Sequence, residues 1–182
     1  LNTNVYASTI LGDDDDVQIM KKLLTDNNVS TEGIFEEKNR RTSRKTRLIS
    51  EHQHLIRYDR ESKHDINTES EEKIYKYTES IIDKVDAVIL EDYGKGVLTN
   101  NLLKKVIDLC NKKNKFVLID PNKTNWEAYS RATIITPNKK EAYIALGHSL
   151  ENEKVLEEGG FELLERFKLA NLLITRSDEG MS

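Results

Sequence analysis

Four short apolar runs, at residues 87–90, 116–119, 133–135 and 172–174, narrow the folds open to this chain more than any other feature. They are rich in Val, Ile and Leu and show no polar alternation. Strands of a parallel sheet covered by helices on both faces read this way. The segments between them carry helical period. Thr68-Glu69-Ser70-Glu71 has the form of a capping box, and Ile74, Tyr77, Ile81, Ile82 and Val85 then share one face. Thr99 is placed to cap a helix whose apolar stripe is Leu102, Leu103, Val106, Ile107 and Cys110, with Asn114 closing it. Thr136-Pro137 reads as an N-cap followed by proline at the first helical position, with Gly147 as the stop. This alternation predicts right-handed βαβ units and an α/β, doubly wound, mostly parallel sheet with helices on both faces.

The first third of the chain has a different pattern. Residues 5–11 form a strand candidate, followed by Gly12 and the aspartates Asp13 to Asp16, then a helix carrying Val17, Met20, Leu23 and Leu24. Acids at a helix N-terminus complement its dipole, and this reading of the aspartates is preferred to a metal site. Residues 44–50 and 54–59 read as two strands of mixed polarity joined around Glu51-His52-Gln53. They predict a small β flap, or lid, over about 31–61, beside an α/β core made of 1–30 and 62–182. A length of 182 residues suits one such domain.

Composition excludes several classes. Charged residues make up 33% and the net charge is -4, which disfavours non-specific nucleic-acid binding. No apolar run approaches a membrane span, and no signal peptide is recognisable. The one cysteine, Cys110, leaves no intramolecular disulfide and fits a reducing, cytoplasmic setting. The four histidines form no ligand set, and His52 and His54 read as a surface turn. Trp126 and Tyr129 are expected to pack in the core.

In an open parallel sheet, ligands bind beyond the carboxyl ends of the strands. The four apolar runs are followed by Glu91-Asp92-Tyr93-Gly94-Lys95-Gly96, Asp120-Pro121-Asn122-Lys123, Thr136-Pro137-Asn138-Lys139-Lys140-Glu141 and Thr175-Arg176-Ser177-Asp178-Glu179-Gly180. Every exit carries an acid and a Lys or Arg. Gly94 and Gly96 permit close backbone approach to a ligand, with the Lys95 charge between them. Asn138 and Glu141 stand in the first turn of a helix whose free N–H groups favour anions. A carboxylate there can hold Mg²⁺ through water. Residues 175–180 make a polar loop able to wrap a phosphate. Each segment alone reads equally as a turn or a solvated helix start; together on one rim they point to phosphoryl transfer. No Walker A sequence and no GxGxxG after a strand is present.

These residues carry a resemblance. Asn138-x-x-Glu141 is similar to the NxxE motif of the ribokinase-like, or PfkB, sugar kinases, and Thr175 to Gly180 is similar to their nucleotide-contacting loop. The DYGKG segment, Ile119-Asp120-Pro121, Thr136-Pro137-Asn138 and the flap residues Thr42, Lys45, Arg47, Gln53, Leu55, Ile56, Arg57 and Asp59 resemble the family members that phosphorylate a heptose 7-phosphate. The resemblance runs from about Gly12 onward. It implies transfer of the γ-phosphoryl group of ATP, with Mg²⁺, to the anomeric hydroxyl of D-glycero-D-manno-heptose 7-phosphate, in ADP-heptose synthesis for lipopolysaccharide or another surface glycan.

The roles it implies are as follows. Asn138, Lys139, Lys140, Glu141, Thr175, Arg176 and Gly180 contact the nucleotide, with Glu141 on Mg²⁺ through water. Asp92, Tyr93, Lys95, Lys45, Arg47 and Arg57 face the sugar phosphate, while Asp120 and Lys123 support the rim. The flap implies a homodimer. The family's glycine- and asparagine-rich sugar segment is expected before Leu1. Its G-A-G-D segment, with the catalytic aspartate, is expected after Ser182, so residues 1–182 are expected to be the inactive middle of a kinase domain. Asn122 stands where the family more often has lysine, Glu91 where it has a small residue, and the Arg40-Arg41 pair has no family counterpart in role. Other readings are a kinase of ribose, fructose, adenosine or a phosphosugar, or a non-catalytic binding module that pairs through its flap edges.

Overall fold

A computed structural model of the chain describes residues 3–51, 53–122, 126–150 and 152–182. The chain divides into two compact units, Leu1–Thr78 with Lys95–Val97, and Glu79–Gly94 with Leu98–Ser182.

In the first unit, β1 (Val5–Leu11) leads through the aspartates into α1 (Asp16–Asp26), which returns the chain to β2 (Val29–Glu36). β2 pairs with β1 in parallel, Val5 with Val29 through Leu11 with Glu36. Leu11, Val17 and Ile34 form the buried centre, with Ala7, Met20 and Leu24 packed on it. Leu23, expected on the apolar face of α1, is instead exposed. The flap is the antiparallel hairpin β3 (Arg44–Ser50) and β4 (Gln53–Arg60). It is shorter than the expected 31–61, because residues 29–36 are recruited as the parallel partner of β1. Gly33 fits this place, since a Cβ there would meet the Tyr77 ring at 2.3 Å and the Ala7 carbonyl at 2.6 Å, a close approach that only glycine allows.

The boundary between the units falls in α2 (Thr68–Ile81), which ends in a 3₁₀ turn, Ile82–Lys84. Its cap lies one residue earlier than the sequence pattern predicts: the Asn67 side chain accepts from the Ser70 N–H at 2.9 Å. Asparagine caps as well as threonine, so the two positions compete and the preceding chain path decides.

The second unit holds a four-stranded, all-parallel sheet in the order β5 (Ala87–Glu91), β6 (Phe116–Asp120), β7 (Ile134–Ile135), β8 (Asn171–Leu172). β7 and β8 are short, although ladder bonds continue past them, from Thr136 N–H to the Ile119 carbonyl at 2.9 Å and from Leu173 N–H to that of Ile135 at 3.0 Å. Between the strands stand α3 (Asn100–Lys112), α4 (Lys139–Leu146) and α5 (Glu153–Phe167). The Thr99 hydroxyl caps α3 at Leu102 N–H, and the predicted stripe Leu102, Leu103, Val106, Ile107 and Cys110 is buried throughout. Trp126 and Tyr129 lie in a 3₁₀ turn and pack edge-on, with the Trp126 and Phe167 rings 5.6 Å apart. Val117, Ile119 and Leu90 are buried, but Ile89 and Phe116 on the other face are each 63% exposed. A run of apolar residues does not reveal whether both faces are covered, since period-2 burial leaves no trace when both sets are apolar.

Cys110 is fully buried, and burial pushes its thiol up to about 11. Because the thiolate is the reactive form, the folded protein is expected to react with a thiol reagent at pH 8 only as fast as it unfolds. Rapid modification in the native state would show that α3 is not packed as described. Leu103→Ala is expected to lower stability by about 2–5 kcal/mol in a urea titration, the usual cost of a fully buried leucine.

Candidate active site

Parallel pairing carries the four strand exits to one edge of the second unit's sheet. Glu91 and Asp120 are register partners at the ends of β5 and β6, and Asp92 N–H donates to the Asp120 carbonyl at 3.0 Å. The chain then turns on Asp92. Its Oδ1 accepts from the Gly94 N–H at 2.8 Å, and its Oδ2 accepts from the Tyr129 hydroxyl at 2.8 Å. Gly94 follows with a φ of 63°, in the left-handed region. Asp92, expected to face the sugar phosphate, is therefore 6% exposed with both oxygens engaged by the protein; it shapes the loop. Tyr93, beside it, is 64% exposed.

At the third exit the NxxE spacing has a plain geometric basis. Asn138 is the N-cap of α4: its side chain accepts from Glu141 N–H at 2.9 Å, and Glu141 Oε2 accepts from Asn138 N–H at 2.8 Å. The cap is Asn138 and not Thr136, because only a residue three before a glutamate can close this reciprocal pair. Pro137 thus precedes the helix rather than opening it. Gly147, in the left-handed conformation, ends it as expected. Thr175 N–H donates to the Pro137 carbonyl at 2.8 Å, and Asn138 and Thr175 form a parallel bridge. The Thr175 loop is itself a tight hairpin: Arg176 N–H donates to the Gly180 carbonyl at 2.8 Å, and Ile174 and Ser182 exchange both backbone bonds. Ser177 and Gly180 take positive φ. Lys139 is ion-paired with Glu179, and Arg176 with Glu153. Lys140 is exposed.

Two carboxyls on this rim, Glu91 and Glu141, are acted on by the charge of a third, Asp120. Burial, the Asp120 charge and a hydrogen bond with the Asp120 side chain raise the Glu91 carboxyl above its ordinary value. Burial raises Glu141 as well; the bonds from Asn138 oppose this and the Asp120 charge adds to it. Like charges brought together disfavour ionisation, and a cation between them relieves the strain. Among the described residues no set of three His, Cys, Asp or Glu has the arrangement of a metal site. Magnesium, which keeps most of its water, needs only one or two carboxylates besides substrate phosphates.

The remaining predicted residues belong to the first unit. Lys95 Nζ donates to Glu61 Oε1, and this bond holds the Glu61 carboxyl below its usual range. On the flap, Lys45 faces Asp59 and Arg47 faces Arg57 in register, so all four project from one side of the hairpin. Arg57 is also paired with Asp59 at 3.1 Å. The opposite side carries Leu48, Ile56 and Tyr58, exposed by 57%, 61% and 65%. The aspartates before α1 serve this hairpin: Asp16 pairs with both Arg44 and Arg60, and Asp14 accepts from Thr42 N–H at 3.0 Å. Lys123 lies outside the described residues. Sequence reasoning did not find the Glu91–Asp120 coupling, the Tyr129–Asp92 bond, or Glu61 as the partner of Lys95. Only the first had a signal, an acid at the end of each of two adjacent strands.

Along residues 1–182 the chain matches the family described as pfkB family carbohydrate kinase, and it belongs to that family. Among relatives, it is 40% identical over 182 residues to the bifunctional protein HldE of Aliarcobacter butzleri (strain RM4018), covering all of this chain and 38% of that protein. It is 41% identical to the HldE of Campylobacter fetus subsp. fetus (strain 82-40), again over the whole chain and 39% of the relative. The chain thus spans less than two fifths of the length of these relatives. Among solved structures, the tetrameric inhibited form of phosphofructokinase-2 from Escherichia coli superposes with a TM-score of 0.75 at 14% identity, over 100% of this chain and 59% of that one. Arabidopsis thaliana ribokinase complexed with ribose and ATP gives 0.72 at 14%, over 98% and 57%. The fold is therefore ribokinase-like.

A raised carboxyl makes folding less favourable as pH climbs. Between the ordinary value of 4.5 and the folded value, the folded state holds more protons than the unfolded one, so stability falls through that window and stays lower above it. Glu91→Gln is accordingly expected to be more stable than the parent at pH 7, with the gain fading as the pH falls toward about 4.5 and absent below it. Urea titrations at both pH values measure this; a variant less stable at pH 7 would show that the Glu91–Asp120 repulsion is absent.

Proposed function

We propose that the chain is part of an ATP-dependent sugar-phosphate kinase that phosphorylates the anomeric hydroxyl of D-glycero-D-manno-heptose 7-phosphate in cytoplasmic ADP-heptose synthesis. The observation that carries the kinase reading is the Asn138–Thr175 bridge, which sets the capped start of α4 and the Thr175 hairpin together beside Glu141. In this reading the free N–H groups at the start of α4, Lys139, Lys140, Thr175, Arg176 and Gly180 hold the nucleotide phosphates. Mg²⁺, when bound, spreads the charge of the transferring group. Glu141 holds its water shell, and Asp120 and Lys123 support the rim. Tyr93, on the turn that Asp92 shapes, together with Lys95, Lys45, Arg47 and Arg57, addresses the sugar phosphate. Such transfers depend mainly on positioning and charge neutralisation, which this set of groups supplies. The heptose reading draws support from the HldE relatives and the flap resemblance.

The exposed row Leu48, Ile56 and Tyr58 supports a homodimer through the flap. Tyr58→Asp is expected to shift the full-length protein to monomer in light scattering; an unchanged mass would exclude this face as the interface.

An ADP-release assay on the full-length protein, with heptose 7-phosphate, ribose, fructose, fructose phosphate and adenosine as acceptors, tests the substrate. Turnover highest on any acceptor other than the heptose would overturn that assignment. Glu141→Gln keeps a cap acceptor for Asn138 but loses the charge, so it is expected to lower kcat/KM for Mg·ATP by about 10²-fold or more with little change in stability. Parent-like activity at limiting Mg²⁺ would remove Glu141 from the metal site.

A further inference from the structure

The segment after β2 carries a buried polar cluster that none of these roles uses. Arg40 is 4% exposed, in a chain where a buried guanidinium needs several acceptors. Its Nη1 donates to the His64 carbonyl at 3.0 Å and its Nη2 donates to the Lys95 carbonyl. Glu37, also buried, stands 3.7 Å away. Glu37 Oε2 in turn accepts from Asn67 N–H at 3.0 Å and from the Ser70 hydroxyl, so its charge is held by the start of α2. Burial pulls the Arg40 guanidinium down, and the Glu37 and Asp65 carboxylates counter this.

The two carbonyls that Arg40 bridges lie on segments that also meet directly. Ile66 N–H donates to the Gly96 carbonyl at 2.9 Å. Gly96 has a φ of 80°, and a Cβ there would stand 2.0 Å from the His64 carbonyl oxygen, so the backbones touch only because the residue is glycine. One segment carries Glu61 and the other Lys95, which form the ion pair described above. Glu61 also takes Lys63 at 3.4 Å. A planar fork with fixed donor directions can hold two carbonyls at a set separation, whereas an ammonium on a flexible stem cannot.

We infer that Arg40 is a positioning residue: by bridging the His64 and Lys95 carbonyls it sets the Lys95 ammonium on Glu61, and with it the charge offered to an anionic sugar phosphate. The inference rests on the assignment of Lys95 to the sugar-phosphate side. Misplacement of a binding group by about an ångström can cost up to ~10²-fold in rate, and this is the scale expected.

The test uses full-length protein with Arg40→Lys and Arg40→Met, the lysine variant serving if the methionine one does not fold. Steady-state kinetics give kcat and the KM for ATP and for sugar phosphate, and competitive acylation read by mass spectrometry gives the reactivity of each lysine. The expected result is a rise of about 10- to 100-fold in the KM for sugar phosphate. The KM for ATP stays near the parent's, and acylation speeds up at Lys95 and not at the other lysines. A folded variant with parent-like sugar-phosphate KM and unchanged Lys95 acylation would overturn the inference, and so would an equal rise in both KM values with faster acylation of all lysines. If the parent transfers phosphate to no sugar phosphate, the proposed function fails on its own, and selective acylation at Lys95 still decides whether Arg40 sets that side chain.

Discussion

Parallel pairing of β5, β6, β7 and β8 is the constraint from which the rest of the second unit follows. Because all four strands run the same way, every segment that leaves a strand's carboxyl end emerges on one edge. The acids and bases after those strands are far apart in sequence and meet only for this reason. Glu91 and Asp120 become register partners, and Thr175 is drawn to Asn138. Burial at this edge raises both Glu91 and Glu141, and the Asp120 charge that convergence brings near them adds to the effect.

The loops on this rim are held by side chains bonded to backbone more than by packing. Asp92 closes its own turn through Gly94 N–H and is anchored by the Tyr129 hydroxyl, whose ring is fully buried. Asn138 and Glu141 satisfy each other's backbone donors. In the first unit, Thr42 and Asp14 bond the Gly12 and Thr42 N–H groups, and Arg40 ties the Lys95 backbone. Polar residues that look like ligand contacts in a sequence are thus partly used to build the surface that a ligand would meet. The same side chain can do both only if it keeps an acceptor to spare, which separates Glu141 from Asp92.

Much of the fold was legible in the sequence. Strand β1, the hairpin strands and the stripe of α3 were read from apolar spacing, because each reports a periodicity that local geometry imposes. The caps were less legible. Thr68 and Thr136 both fit the cap pattern, yet Asn67 caps α2, where the path of the preceding chain chooses between adjacent residues, and Asn138 caps α4, where the reciprocal pair with Glu141 decides. Strand β2 was missed since Thr31, Glu32 and Gly33 interrupt its apolar character, and its place is set by contact with β1 and the Tyr77 ring. The exposed Ile89 and Phe116 could not be foreseen, because their run is apolar on both faces.

For the site, the sequence by itself determined which chemical groups follow each strand, and the Asn138-x-x-Glu141 spacing that becomes a reciprocal cap wherever a helix begins there. Both are local properties, decided within a few residues by hydrogen-bond reach and helix geometry. Only the tertiary structure decided that Asp92 turns inward to Tyr129, that Asp120 presses on Glu91 and Glu141, and that Lys95 rests on Glu61 under a bridge from Arg40. Those are contacts between residues distant in the chain. Their energies depend on burial and separation in space, quantities that strand pairing creates and that no stretch of sequence contains.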